Sequence, residues 1–181
     1  MQKVFVFLAT GFEEIEAVAV IDVLRRAEID ITTVSITGDK KVIGAHDITI
    51  EADQLFEDTD FSVGTMLILP GGQPGSTNLD AYKPLINLIE EYFKSDKYLA
   101  AICAAPMVYG KMDLLQDKEV ICYPGFEKFL NGAIISTQRT VRSGKIITSK
   151  GPGTAIEFGL KIVETLKGIE LADILHEGMI V

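Results

Sequence analysis

Apolar positions fall into two regimes along the chain, long buried runs up to about residue 112 and shorter ones after residue 120. Lys3 to Ala9 (KVFVFLA) is an unbroken β-favouring run, the pattern of a strand buried on both faces. EEIEAVAVIDVLRRAE follows with helical spacing, acidic at its start and carrying Arg25 and Arg26 near its end, as the helix dipole favours. Ile31 to Ile36 predicts a second strand, and weak short strands are expected at Val42-Ile43 and Ile48 to Glu51. Thr65 to Gly72 (TMLILPGG) reads as a buried strand ending in a turn. YKPLINLIEEYFKS predicts a helix with Leu85, Leu88, Ile89 and Phe93 inward. YLAAIC is a strand, and AAPMVYGKM opens a helix.

From Val120 the runs shorten. VICYPG, AIIS and TVRSGKIITSKG predict short strands, two of them joined at Ser143-Gly144. TAIEFGLKIVETLKG predicts an amphipathic helix with Ile156, Leu160, Ile162, Val163 and Leu166 inward, and IELADILHEG a last helix. Strands alternating with helices imply a mostly parallel sheet covered on both faces, an α/β three-layer sandwich of flavodoxin-like type. In such folds ligands bind beyond the C-terminal ends of the strands. Three loops belong at that edge: ATGFEEIE, PGGQPGS and CAAP.

Composition narrows the function. The 181 residues are 48% hydrophobic, enough for one core, so a single domain over residues 1–181 is expected. A net charge of −9 with no cluster of Lys or Arg argues against a nucleic-acid partner. No apolar run approaches a membrane span. The opening MQKVFVFLATGFEE has the apolar run of a leader peptide, but Gly11, Phe12, Glu13 and Glu14 follow it instead of a small-residue cleavage site. A cytoplasmic protein is expected. The two cysteines, Cys103 and Cys122, make neither a disulfide framework nor a metal-ligand spacing, so no metal or cofactor is expected.

Cys103 sits where a strand turns into a helix. It reads equally as a small buried core residue and as a nucleophile lifted above the sheet on a sharp turn. Ala100, Ala101, Ala104 and Ala105 let the backbone bend there. A helix starting at that point would aim N–H groups at the sulfur and lower its pKa. Gly71 and Gly72 form a turn or bring backbone donors close to a ligand, and the Gly72 and Ala104 amides suit a developing oxyanion. Glu13, Glu14 and Glu16 make an acidic helix start, and one of them turned towards the thiol would shuttle a proton. Their spacing does not choose among them. Tyr123 and Cys122 read as strand residues, and His46 as part of a polar turn, GAHD.

GFEEIE, LPGG, AAICAAP and GPGTAIEFGLKIVE, in this order from about Lys3 to Gly168, resemble the ThiJ/PfpI superfamily, in the branch of the Parkinson-disease protein (DJ-one) and bacterial YajL. The resemblance implies a flavodoxin-like fold, a homodimer and an easily oxidised elbow cysteine. Residue by residue it makes Cys103 that cysteine, Glu16 the carboxyl bonded to it, and Gly72 and Ala104 the backbone donors. It implies cofactor-free conversion of methylglyoxal or glyoxal, deglycation of their adducts, or redox-sensing chaperone activity. The ThiJ name also carries an assignment to thiazole monophosphate biosynthesis.

Two departures stand out. Some members carry a His where this chain has Tyr123, and many an Arg where it has His46. Gly71, Tyr123 and His46 are therefore assigned to substrate binding and Glu16 is left as the obvious acid/base. Ala104 in place of a His removes the dyad that proteolysis needs. An acidic first loop also argues against a phosphate-binding flavodoxin. Finally, AVAVIDVL is apolar on nearly every side, which predicts a second buried face and a dimer.

Overall fold

The computed structural model describes residues 2–181. In chain order it begins with β1 (Lys3–Leu8), α1 (Glu14–Arg26), β2 (Asp30–Ser35), β3 (Lys41–Ile43), β4 (Thr49–Glu51) and β5 (Gln54–Leu55). Then come β6 (Gly64–Leu69), α2 (Gly75–Ala81), α3 (Lys83–Lys94), β7 (Tyr98–Ile102), α4 (Pro106–Lys111) and β8 (Glu119–Val120). The chain ends with β9 (Ile134–Ile135), β10 (Thr140–Ser143), β11 (Ile146–Ser149), α5 (Ala155–Lys167) and α6 (Ile169–Gly178).

Seven strands form the central sheet in the order β10-β11-β7-β6-β1-β2-β5, parallel throughout except where β10 pairs antiparallel with β11. Alternation along each strand splits the core in two. Val4, Val6 and Leu8 of β1 face a layer built from α1 and α5, while Phe5 and Phe7 face α3 and α4; none of the five is exposed. The result is the expected flavodoxin-like α/β sandwich. Helix α1 carries acids in its first turn and arginines in its last, and it buries Ala17, Val20, Val23 and Leu24 against the sheet and α5.

The differences from expectation are local. Helix α2 forms within a stretch that reads as turn residues, and the two-residue β5 extends the sheet edge beyond β2. The weak pair β3 and β4 is an antiparallel hairpin outside the main sheet. The predicted strand VICYPG shrinks to β8, because Ile121 and Tyr123 spend their N–H groups on the Thr148 hydroxyl and the Cys103 carbonyl. Ile156 and Phe93, expected inside, are each 38% exposed. Phe158 and Tyr92 fill the inward positions instead. Among the described residues, no helix is long and apolar enough to cross a membrane.

Candidate active site

From β1 the chain runs out to β2 and β5 on one side and through β6, β7 and β11 on the other. The order therefore reverses between β1 and β6, and the crevice beyond that point is where such sheets bind ligands. The loops after β1, β6 and β7 converge there. With the first turn of α1 they bring together Glu16, Gly71, Gly72, Cys103 and Ala104.

Cys103 follows the last residue of β7 with φ +64°, in the left-handed region that side chains rarely occupy. Such a residue costs about 1–2 kcal/mol and persists only where its surroundings hold it. They do so here: the Cys103 N–H donates to the Ser149 carbonyl at 2.9 Å, and the Tyr123 N–H donates to the Cys103 carbonyl at 2.8 Å. The inversion also breaks the strand's alternation. Leu99 and Ala101 face the α3 side and Ala100 and Ile102 the α1 side, so Cys103 would fall on the α3 side; it packs in the α1 layer instead. That is where Glu16 lies.

Glu16 is fully buried in α1. Its Oε2 accepts the Gly71 N–H at 2.7 Å, while its Oε1 is buried with no hydrogen-bond partner among the described residues. Burial raises its pKa to about 7, partly offset by the Cys103 thiol beside it and by the Gly71 N–H. The spacing of Glu13, Glu14 and Glu16 left the choice open, and the fold points only the last of them at the sulfur.

The glycines are there for close approach. A Cβ on Gly71 would fall 2.5 Å from the Cys103 Cβ and 2.6 Å from Glu16 Oε2. Gly72, at φ +89°, turns the loop so tightly that a Cβ would fall 2.4 Å from the Glu13 nitrogen. Only bare backbone brings the Gly72 amide to the sulfur.

Burial pushes the Cys103 thiol up, the Glu16 charge pushes it further, and the Gly72 and Ala104 amides pull it back. This corrects the expectation of a helix end lowering the thiol pKa. Helix α4 has only 6 residues and starts at Pro106, three residues past the sulfur, so the donors are two loop amides. Because both acids are buried in contact, the thiolate is favoured only when Glu16 holds the proton.

Tyr123 contributes its backbone to the elbow. The residue is 46% exposed and its ring lies over Gly151. His46 is held by Glu14: its N–H donates to Oε1 at 2.7 Å, and its Nδ1 lies 2.8 Å from Oε2. That hydrogen bond, with the Glu13 and Glu14 charges, raises the His46 pKa. The acids read as a plain helix start thus also fasten a loop 32 residues away, a role that two adjacent glutamates hint at but do not specify. Among the described residues, Glu13, Glu14 and His46 are the one group with metal-ligating atoms in mutual reach, within 4.8 Å. The His46–Glu14 ion pair already occupies two of them. Cys122 is buried in the α3 layer and Cys103 in the α1 layer, and both are free thiols.

Residues 2–165 match the DJ-1/PfpI family. Protein DJ-1 homolog B of Arabidopsis thaliana is 41% identical over 173 residues, 94% of this chain, which spans only 40% of that relative's length. A Caenorhabditis elegans protein named glutathione-independent glyoxalase DJR-1.2 is 34% identical over 159 residues, 87% of this chain and 84% of the relative. The structure of oxidized Toxoplasma gondii DJ-1 superposes with a TM-score of 0.95 at 32% identity, covering 99% of this chain and 98% of that one.

Proposed function

The chain belongs to the DJ-1/PfpI family, and on that footing we propose that it is a cysteine-dependent, cofactor-independent glyoxalase acting on methylglyoxal, glyoxal or their adducts. The observation that carries the reading is the contact of Cys103, on its inverted turn, with the buried Glu16 carboxyl that titrates near neutrality. The C. elegans relative named a glyoxalase supports the substrate class.

The chemistry balances within the substrate. Cys103 passes its proton to Glu16, and the thiolate attacks the aldehyde carbon. The new oxyanion forms one bond from the sulfur, within the field of the Gly72 and Ala104 amides, and takes the proton back from Glu16. The Glu16 carboxylate then removes the hydrogen on that carbon as a proton, leaving an enediolate, and returns it to the neighbouring carbon while the hydroxyl proton of the first carbon passes to the oxygen of the second. The first carbon is oxidised to a thioester as the second is reduced to an alcohol. Water releases the hydroxy acid and restores the thiol, so no outside oxidant is consumed. Gly71 holds Glu16 in register, while the Tyr123 ring and His46 stand at the rim as substrate contacts.

Cys103→Ala removes methylglyoxal turnover under this mechanism, and Glu16→Gln loses most of it while staying folded. Full turnover by either variant overturns the reading. The same elbow suits a redox sensor or chaperone, in which Cys103 is oxidised once to a sulfinate held by the same amides. The oxidized T. gondii relative favours keeping that alternative. Two unpaired thiols suit a reducing cytoplasm. We take residues 1–181 to work as one domain, paired as a homodimer.

A further inference from the structure

The sequence never gathers its cations, but the fold does. Lys97 immediately precedes β7, Lys118 precedes β8, Arg142 lies in β10 and Lys145 in the turn before β11. These four, spread over some fifty positions, line a single cavity of about 390 Å³. It opens at the N-terminal edge of the sheet, the opposite end from Cys103. The five residues of β7 alone separate the two by about 17 Å.

The cavity is poor in countercharge. Asp96 is the carboxylate in its wall; it meets Lys145 at 3.7 Å and is 84% exposed. Lys97 spends its ammonium on the Ser62 carbonyl at 3.2 Å and on the face of Tyr92. The Arg142 guanidinium reaches the Gly144 carbonyl at 3.1 Å and the Tyr98 hydroxyl at 3.4 Å, both neutral. Lys118 has no ion pair among the described residues, although the cavity wall includes it. Arg142 and Lys145 both stand over the Tyr98 ring, which orients them without neutralising them. With the Lys97 ammonium turned to Ser62 and Tyr92, the three cations Lys118, Arg142 and Lys145 against one exposed carboxylate leave an excess of two positive charges in one recess of a protein whose net charge is −9.

Mutual repulsion among these groups is relieved by an anion that bridges several of them, and a recess strengthens that attraction over a flat surface. The backbone framing the recess is fixed. The Leu99 N–H donates to the Lys145 carbonyl at 3.0 Å, and the Ile134 N–H donates to the Lys118 carbonyl at 2.9 Å. Arg142 offers a planar fork and the lysines offer point charges, the pairing that phosphate groups use. We propose that this recess binds a small polyanion carrying two or more phosphate groups, at a site separate from the cysteine and independent of the glyoxalase reading.

Titration calorimetry of the full chain with inorganic pyrophosphate at low salt tests this. Saturable one-site binding is expected, weakening as sodium chloride rises. Lys118→Gln combined with Arg142→Gln should weaken it at least ~10-fold, each cation contributing a charge-assisted bond, with methylglyoxal turnover and the thermal midpoint retained. Lys40→Gln with Lys41→Gln, on the distant β3 hairpin, should leave binding unchanged. Absent saturation, equal loss in the two double variants, or tighter capture of single-stranded DNA than of pyrophosphate overturns the proposal. If Arg142→Gln disturbs the hairpin, Lys118→Gln with Lys145→Gln asks the same question, and undiminished binding there also overturns it.

Discussion

The Glu16 carboxylate and the Gly71 amide are joined by a 2.7 Å hydrogen bond, so the acid beside the Cys103 sulfur is held in place by the loop that follows β6. Gly71→Ala would put a methyl group 2.5 Å from the Cys103 Cβ and 2.6 Å from that carboxylate. One of the three must move. We expect a loss of about 1–3 kcal/mol from overpacking and a fall in methylglyoxal turnover far larger than that loss explains. Urea unfolding and kcat measured on the same preparation check it; turnover within twofold of the parent would show that the contact is not needed.

Glu16 makes stability depend on pH with a definite sign. Its pKa rises from 4.5 to about 7 on folding, so the fold disfavours the ionised form. Below pH 4.5 the group is protonated in both states and costs nothing. As pH rises towards 7 the unfolded state loses its proton first, stability is lost, and above 7 the loss is constant at about 3 kcal/mol at most. Glu16→Gln has no such proton. The stability difference between variant and parent should therefore shift towards the variant between pH 4.5 and 8, and a flat difference would mean Glu16 is ionised as readily folded as unfolded.

The strain at Cys103 can be measured apart from its chemistry. Both Cys103→Ala and Cys103→Gly lose the sulfur, but only glycine adopts φ +64° without cost. The glycine variant should be the more stable of the two by about 1 kcal/mol. Equal stability would mean the elbow is relaxed.

Much of this arrangement was legible beforehand, and the reasons differ by residue. The run Val4 to Leu8 is apolar on both faces because its strand sits in the middle of the sheet, so it announces itself. Cys103 was visible as a thiol at a strand end among alanines. Its conformation was not, because the inversion depends on a hydrogen bond donated to the Ser149 carbonyl and one accepted from the Tyr123 N–H, both far away in sequence. Helix α2 is hidden by the residues that lead into it: Gly71, Gly72 and Pro74, with Gly75 at its start, are turn formers, and tertiary contacts through buried Leu79 override them. Spacing alone puts Ile156 inward, and periodicity cannot distinguish a core from a second apolar surface.

His46 tests the coupling between α1 and the 44–48 loop. Its pKa is raised by the Glu14 hydrogen bond and the neighbouring acids. A raised histidine pKa stabilises the fold below 6.5, and that contribution is lost as pH climbs through the folded value. By nuclear magnetic resonance, His46 should titrate above 6.5 in the parent and fall back towards it in Glu14→Gln. An unchanged value would dissolve the pair.

The second apolar surface of α1 makes the last prediction. Ile15 is 59% exposed and Val18 48%, and with Ile156 and Met179 they border a surface hollow of about 400 Å³. Contiguous apolar surface of this kind marks association more often than it is left in water. The opposite face of the same helix carries buried Glu16, so a copy packed on Ile15 and Val18 would steady the helix that holds the acid. Sedimentation at micromolar concentration should give a dimer. Ile15→Asp with Val18→Asp should give a monomer whose turnover falls without the complete loss that Cys103→Ala produces. A monomeric parent would leave this stripe facing solvent and remove α1 as the dimer contact.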